Sequence, residues 1–245
     1  MRRPLVRPRF VAVAVAVAVV LGLALRSPAV VWRAQALAQR LGPRATVAQR
    51  VATYEPAVRA RLAPALRRAG LAWPPRRLWL VAFKEERRLR VYAAGPDGAP
   101  RHFADYLIYA ASGGAGPKLR EGDGQVPEGL YRVSALNPNS AYHLALRVDY
   151  PNAEDRSRAR EDRRDHLGGD IMIHGGAASV GCLAMGDPAA EDLFVMAARA
   201  GARNVSVWIA PVDLRARPGW RPPAGLPAWM PARYERLRAA LATLP

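Results

Sequence analysis

Apolar residues recur along this chain at two different spacings, and the change falls near Arg77. In "ATVAQRVATYEPAVRARLAPALRRAG" (45–70) they return at helical spacing and stop at Gly70, with Pro74 and Pro75 just beyond. That pattern predicts one or two amphipathic helices, with Pro56 and Pro64 marking breaks or first-turn positions, because a proline nitrogen cannot donate into a helix interior. From Arg77 the runs become short, β-branched and aromatic: "RLWLVAFK", "RLRVYAA", "FADYLIYAAS", "GLYRVSAL" and "YHLALRVDY". Their boundaries are clusters of Gly, Pro, Asn and Asp such as "GPDGAP", "EGDGQVPEG" and "NPNS", the residues that turn a chain. A succession of such hairpins predicts a mostly antiparallel sheet or barrel.

The pattern changes again after Tyr150. "EDRSRAREDRRD" (154–165) carries five acids and five arginines; it reads as a solvated loop or short helix, with a substrate flap as the alternative. "DIMIHGG" resumes strand character. Asp187 and Pro188 then have the residue types of an N-cap and a first helical position, and the following helix runs to Gly201 as its C-terminal glycine. "NVSVWIAPV" is a further strand, and "LPAWMPARYERLRAAL" closes the chain as an amphipathic helix after a Pro-rich connector. Strands in the middle with helices at both ends make the fold class α+β.

Composition changes this picture mainly at the N-terminus. Four arginines precede an apolar run over residues 11–25, with no acid among them and Ala-x-Ala sites at 34–36 and 36–38. This is the layout of a secretory signal covering residues 1–38; an uncleaved membrane tether through residues 11–25 is the alternative. Either reading sends the body to the periplasm or cell envelope. The formal charge is +17, and removing residues 1–38 takes six arginines and no acid, leaving +11. Anionic partners are therefore favoured. Nucleic acid is not among them, since no recognised binding motif is present. A single cysteine excludes an internal disulfide.

That cysteine, Cys182, follows His174 by eight residues in "IMIHGGAASVGCLAMGD" (171–187). A thiol must become thiolate to attack, and a nearby imidazole can take its proton and return it to a leaving amine. Gly175, Gly176 and Gly181 allow tight turns and a close approach of main-chain N–H groups to a developing oxyanion. Alternation puts Met172 and His174 on one face of a short strand and Ile171 and Ile173 on the other. Spacing alone leaves two readings open: a nucleophile with its base, or a buried thiol beside an unrelated histidine. A metal site lacks the further ligands that one Cys and one His would need, and His102, His143 and His166 are scattered.

"IHGGAASVGCLAM" resembles the active-site signature of the L,D-transpeptidase (YkuD) catalytic domain family, in which a histidine in an "IHG" strand is followed by a Ser/Thr-x-Gly-Cys element. The compact loop is most like the YafK-like branch. "GPKLREGDGQVPEGLYRV", "NPNSAYHLALRVDYPN" and "LGGDIMIHGG" resemble it in order and spacing as well, over roughly residues 75 to 212.

The resemblance implies a mixed β catalytic domain at 75–214, flanked by a helical segment at 39–74 and by a connector and helix at 215–245. It implies Cys182 as nucleophile, His174 as base, and oxyanion or loop support from Gly181, Ser179 and Gly175. Lys118, Tyr150 and Asn152 fall in the matching upstream blocks and are implied to line the substrate groove, as is Tyr131; strand packing is the competing reading for the tyrosines. The implied substrate is the stem peptide of peptidoglycan, with a wall-attached lipoprotein as a further partner and no cofactor or metal. A non-catalytic wall-binding scaffold is the alternative. Two departures stand out. Only four residues separate His174 from Ser179, where most of the family has a longer insert. Val180 and Ala184 occupy positions that often hold a His and an Arg or Asn, so the substrate-carboxylate contact and the acceptor choice do not carry over.

Overall fold

The computed structural model describes residues 44–245, and the leader reading of residues 1–38 lies outside the described residues. Helix α1 (Val47–Arg68) starts at Thr46, whose hydroxyl accepts from Gln49 N while the Gln49 side chain accepts from Thr46 N. This reciprocal cap satisfies donors that a helix start otherwise leaves unpaired. The helix runs unbroken through Pro56 and Pro64, which corrects the expectation of breaks or first-turn positions. An interior proline costs a helix about 3 kcal/mol. The stripe Val51, Val58, Leu62 and Leu66 is buried in the core and offsets that cost, at roughly 1.5–3 kcal/mol for each fully buried aliphatic side chain.

Nine strands follow: β1 (Leu78–Phe83), β2 (Arg88–Ala94), β3 (Pro100–Leu107), β4 (Ala110–Ala111), β5 (Gly129–Ser140), β6 (His143–Val148), β7 (Met172–His174), β8 (Leu183–Ala184) and β9 (Val205–Ala210). They form one curled sheet in the order β3-β2-β1-β9-β5-β6-β7-β8-β4. Helix α2 (Ala153–Glu161) precedes β7, α3 (Asp187–Ala200) links β8 to β9, and α4 (Met230–Leu241) ends the chain. The α+β class expected from the pattern is the observed one. Most pairings are antiparallel, but β1 with β9 and β7 with β8 run parallel. Strands joined directly by hairpins cannot do this, so neither pair was visible as a turn signal.

The run "FADYLIYAAS" is divided between two sheet positions. After β3 the chain bends at Ile108, whose N–H bonds the Arg87 carbonyl, and Tyr109 N donates to Ala184 O, which delivers β4 to the far edge beside β8. "NPNS", expected as a turn, instead belongs to β5, where the register with β6 shifts between Asn137 and Ser140. Such an irregularity accommodates the N–H that Pro138 lacks. The reversal falls at 141–142.

Alternation divides the sheet into two buried faces. Leu78, Leu80, Val205, Val207, Ile209 and Ile173 join the core beneath α1 and α3. Trp79, Val81 and Phe83 pack with Met230, Tyr234 and Leu237 of α4. With both faces covered, β1 is buried throughout, which is why it reads as a continuous apolar run. Polar ties fix the helices: Arg61 on α1 donates to Asp192 Oδ1 on α3, whose Oδ2 takes the Tyr106 hydroxyl from β3. Among the described residues no helix is long and apolar enough to cross a membrane.

Candidate active site

His174 ends β7 and Cys182 immediately precedes β8. The two strands are parallel, with Ile173 beside Leu183 and His174 beside Ala184. Ile173 and Leu183 both enter the core, so the alternate positions, His174 and Cys182, share the other face of adjacent strands. Offset by two residues along the strands, their Cα atoms are about 8 Å from each other, from a strand spacing of ~4.8 Å and a rise of ~3.3 Å per residue. The chain covers this return in residues 175–182 alone, and two glycines make it feasible. A Cβ on Gly175 would lie 2.5 Å from Asp187 Oδ1 and 2.8 Å from the Tyr142 carbonyl, and Gly181 has φ +84°. Gly176 N donates to Asp187 Oδ1 at 2.8 Å, Gly186 N to Gly176 O and Met185 N to His174 O. The Asp187 carboxylate therefore holds this loop. It does not cap its own helix: the N-cap of α3 is Gly186, without a side-chain bond, which corrects the N-cap expected at Asp187.

The imidazole of His174 is buried, its Nδ1 lies 2.6 Å from the Gly175 carbonyl, and its ring stacks on Tyr142 at 4.6 Å between centroids. A carbonyl only accepts, so Nδ1 carries the proton and Nε2 keeps its lone pair, the tautomer a general base needs. Burial lowers the imidazole pKa, with the Gly175 bond partly opposing. The half-buried Cys182 thiol donates to Asp170 O at 3.7 Å. Burial raises its pKa above the ordinary thiol value; the Met172 N–H and the charge of Lys118 act against the rise, and Asp170 adds to it. Both groups are accordingly neutral at neutral pH, so a thiolate at Cys182 would have to form by proton transfer from sulfur to a base such as the imidazole.

The remaining candidates divide. Ser179 accepts from Cys182 N at 3.0 Å and donates to Cys182 O at 2.6 Å, closing a ring around the main chain of Cys182. Gly181 N donates to the hydroxyl of Ser112, a residue that the sequence reading missed. Lys118 lies near enough to act on the thiol, but its ammonium is bound to Asp123 Oδ1 at 2.7 Å and to Arg120 O. Tyr150 is buried with its hydroxyl on Leu167 O, and Tyr131 donates to Glu128 O and Asp155. Asn152 is not brought to the thiol: it caps α2, donates to Leu130 O, and lines a separate recess of about 510 Å³ with Trp79 and Trp208. Val180 is 85% exposed, while Ala184 is fully buried.

Residues 77–209, more than half of the chain, match the L,D-transpeptidase catalytic domain, YkuD. Over 120 residues the chain is 38% identical to YafK of Escherichia coli K12, provisionally named an L,D-transpeptidase, covering 48% of this chain and 46% of that protein. YafK of strain O157:H7 matches to the same extent. The chain thus spans about half the length of the curated relatives it matches. Among solved structures, the helical cell shape determining protein Pgp2 from Campylobacter jejuni shares 26% identity at a TM-score of 0.44, over 56% of this chain and 48% of that one. Bd1075 of Bdellovibrio bacteriovorus shares 21% at 0.40, over 56% and 48%.

Proposed function

This chain belongs to the L,D-transpeptidase (YkuD) catalytic domain family, and from that premise we propose that it is a cysteine acyl transferase acting on peptidoglycan stem peptides, with Cys182 as nucleophile and His174 as base. The observation that carries the reading is the tethered tautomer: Nδ1 held on Gly175 O leaves Nε2 free on the strand face that Cys182 shares. In the proposed reaction Nε2 takes the thiol proton as sulfur attacks the carbonyl of the L-centre at stem position three. The C–S bond forms, the tetrahedral intermediate collapses, and the imidazolium returns its proton to the departing amine. An acceptor amine then resolves the thioester to form a crosslink or attach a protein, or water resolves it in release of a wall-attached lipoprotein. Export to the periplasm, with a tether through residues 11–25 if the leader is retained, belongs to the same proposal.

Ala184 offers no polar group for a substrate carboxylate, and the charge of Lys118 acts on the thiol. Lys118 is the residue we assign to that contact, reached by exchanging its bond to Asp123.

The test is mass spectrometry of wall fragments after incubating the exported body with isolated sacculi, beside a Cys182→Ala control. New crosslinks or shed peptides that vanish in the control are expected. Binding to sacculi without any cysteine-dependent product would replace this reading with a wall-binding scaffold.

A further inference from the structure

β8 has a second neighbour. On the side away from β7 it pairs with β4, antiparallel, with Ala110 opposite Ala184 and Ala111 opposite Leu183. Continuing that register by one residue sets Ser112 opposite Cys182, and residues opposite one another share a face with Cβ atoms about 5 Å apart. Ala111, like Leu183, turns toward the core, which leaves Ser112 on the face of Cys182 and His174. The candidate nucleophile therefore sits between an imidazole on one strand and a hydroxyl on the other, and Ser112 is half-buried rather than sealed.

The hydrogen bonds give this hydroxyl a role. An oxyanion site in this loop would draw on the N–H groups of residues 181 and 182, yet both are already engaged: Cys182 N with Ser179 Oγ, Gly181 N with Ser112 Oγ. Ser179 spends its own proton on Cys182 O, so turning it away breaks a ring closed at both ends. Ser112 is held differently. It accepts from Gly181 N and donates to Gly124 O at 2.7 Å. A hydroxyl can donate and accept at once, so Ser112 can keep the Gly181 N–H as acceptor while exchanging one acceptor of its proton for another. The N–H pointing at its oxygen also polarises it and strengthens it as a donor.

We propose that the Ser112 hydroxyl is a side-chain donor to the oxyanion formed when Cys182 attacks a carbonyl. The inference rests on the reading of Cys182 as a nucleophile. As sulfur bonds to carbon, the carbonyl π pair moves onto oxygen and the thiol proton moves to His174 Nε2. Ser112 turns its proton from Gly124 O to the new alkoxide, transferring nothing. When the alkoxide re-forms the carbonyl, the leaving group departs with its electron pair, an amine taking the imidazolium proton, and the Ser112 hydroxyl returns to Gly124.

The experiment uses the full chain and compares two reactions of its single cysteine, each followed by intact mass. p-Nitrophenyl acetate acylates the thiol through a tetrahedral oxyanion and releases p-nitrophenolate; iodoacetamide alkylates it by displacement at a saturated carbon, with no oxyanion. Ser112→Ala is expected to slow acylation about 100-fold, the range for loss of one oxyanion donor, and to leave alkylation unchanged. Ser112→Thr, which retains the hydroxyl, is expected to keep most of the acylation rate. Acylation of Ser112→Ala at the wild-type rate, or acylation and alkylation falling together, would overturn the inference, the second outcome showing a purely structural role. Because the ratio is read on a simple ester, inactivity of the wild type on sacculi would remove the proposed substrate and not this donor.

Discussion

His174 gives its Nδ1 proton to the carbonyl of the next residue, Gly175, 2.6 Å away, so the ring nitrogen that keeps its lone pair is fixed by a main-chain contact rather than by a carboxylate. Burial lowers this imidazole and raises the Cys182 thiol, the reverse of what a resting thiolate–imidazolium pair requires.

The pH dependence follows. Alkylation of Cys182 by iodoacetamide is expected to keep rising with pH past 9, the ordinary thiol value from which burial raises it. The acid limb of kcat/KM is expected below pH 6.5, where His174 protonates. Stability carries the same sign: a histidine whose folded pKa is depressed contributes stability that is present above pH 6.5 and lost as pH falls through the folded value. An alkylation rate already flat at pH 6 would mean a preformed ion pair and sink this account.

Gly175 tests the packing of the loop. A methyl group there meets Asp187 Oδ1 at 2.5 Å, the Tyr142 carbonyl at 2.8 Å and His143 Cβ at 3.0 Å. The carboxylate is held by Gly176 N and the carbonyl belongs to the backbone, so neither yields easily. Gly175→Ala is expected to cost about 1–3 kcal/mol in urea unfolding and to slow acylation of Cys182. Gly114→Ala, with nothing within 4 Å of its Cβ, is expected to leave both unchanged and serves as the control.

Why the helices, the strand runs and the His174–Cys182 pair were legible, and Ser112 was not, has a physical basis. Periodicity records which side of an element is buried, and α1 and β9 carry that record residue by residue, while β1, covered on both faces, is legible as a continuous apolar run. It does not record which strands become neighbours. β4 and β8 span two residues each, too short for a pattern, and their pairing depends on the bend at Ile108, whose bonding partners are distant in sequence. Asp187 misled for a related reason. Its type and place beside Pro188 suit an N-cap, but the tertiary demand of Gly176 N claimed the carboxylate. For Asn152 the capping chemistry accounts for the side chain without any ligand.

The prolines of α1 give a third test. Pro56 and Pro64 are exposed inside a continuous helix, and each leaves one carbonyl of the preceding turn without its N–H partner. Pro56→Ala restores that bond, while the unfolded chain gains back some freedom, worth ~0.4–1 kcal/mol against the gain. A net stabilisation of about 1–2 kcal/mol is expected, read as a higher urea midpoint with unchanged iodoacetamide kinetics at Cys182. A lower midpoint would show that the helix is built around the proline.

Lys84, Glu128 and Tyr234 give the fourth. The Lys84 side chain is 9% exposed and that of Glu128 is 0% exposed; Lys84 Nζ donates to Glu128 Oε1, Gly116 O and Val126 O, and the Tyr234 hydroxyl donates to Glu128 Oε2. Removing one partner of such a pair leaves a buried charge uncompensated, at about 3–5 kcal/mol, whereas replacing both with apolar groups is often close to neutral. Lys84→Met should therefore unfold at much lower urea than wild type, and Lys84→Met with Glu128→Leu should recover most of the loss. The recovery has a functional counterpart. Lys84 pins residues 116 and 126, and the segment between them contains Gly124, the acceptor of the Ser112 proton. The double variant restores the charge balance without restoring either of those main-chain contacts. It is expected to regain stability while its acylation of Cys182 by p-nitrophenyl acetate stays below wild type. Recovery of both together would mean that the buried pair supports the fold alone and that the wall of the site is held by other contacts.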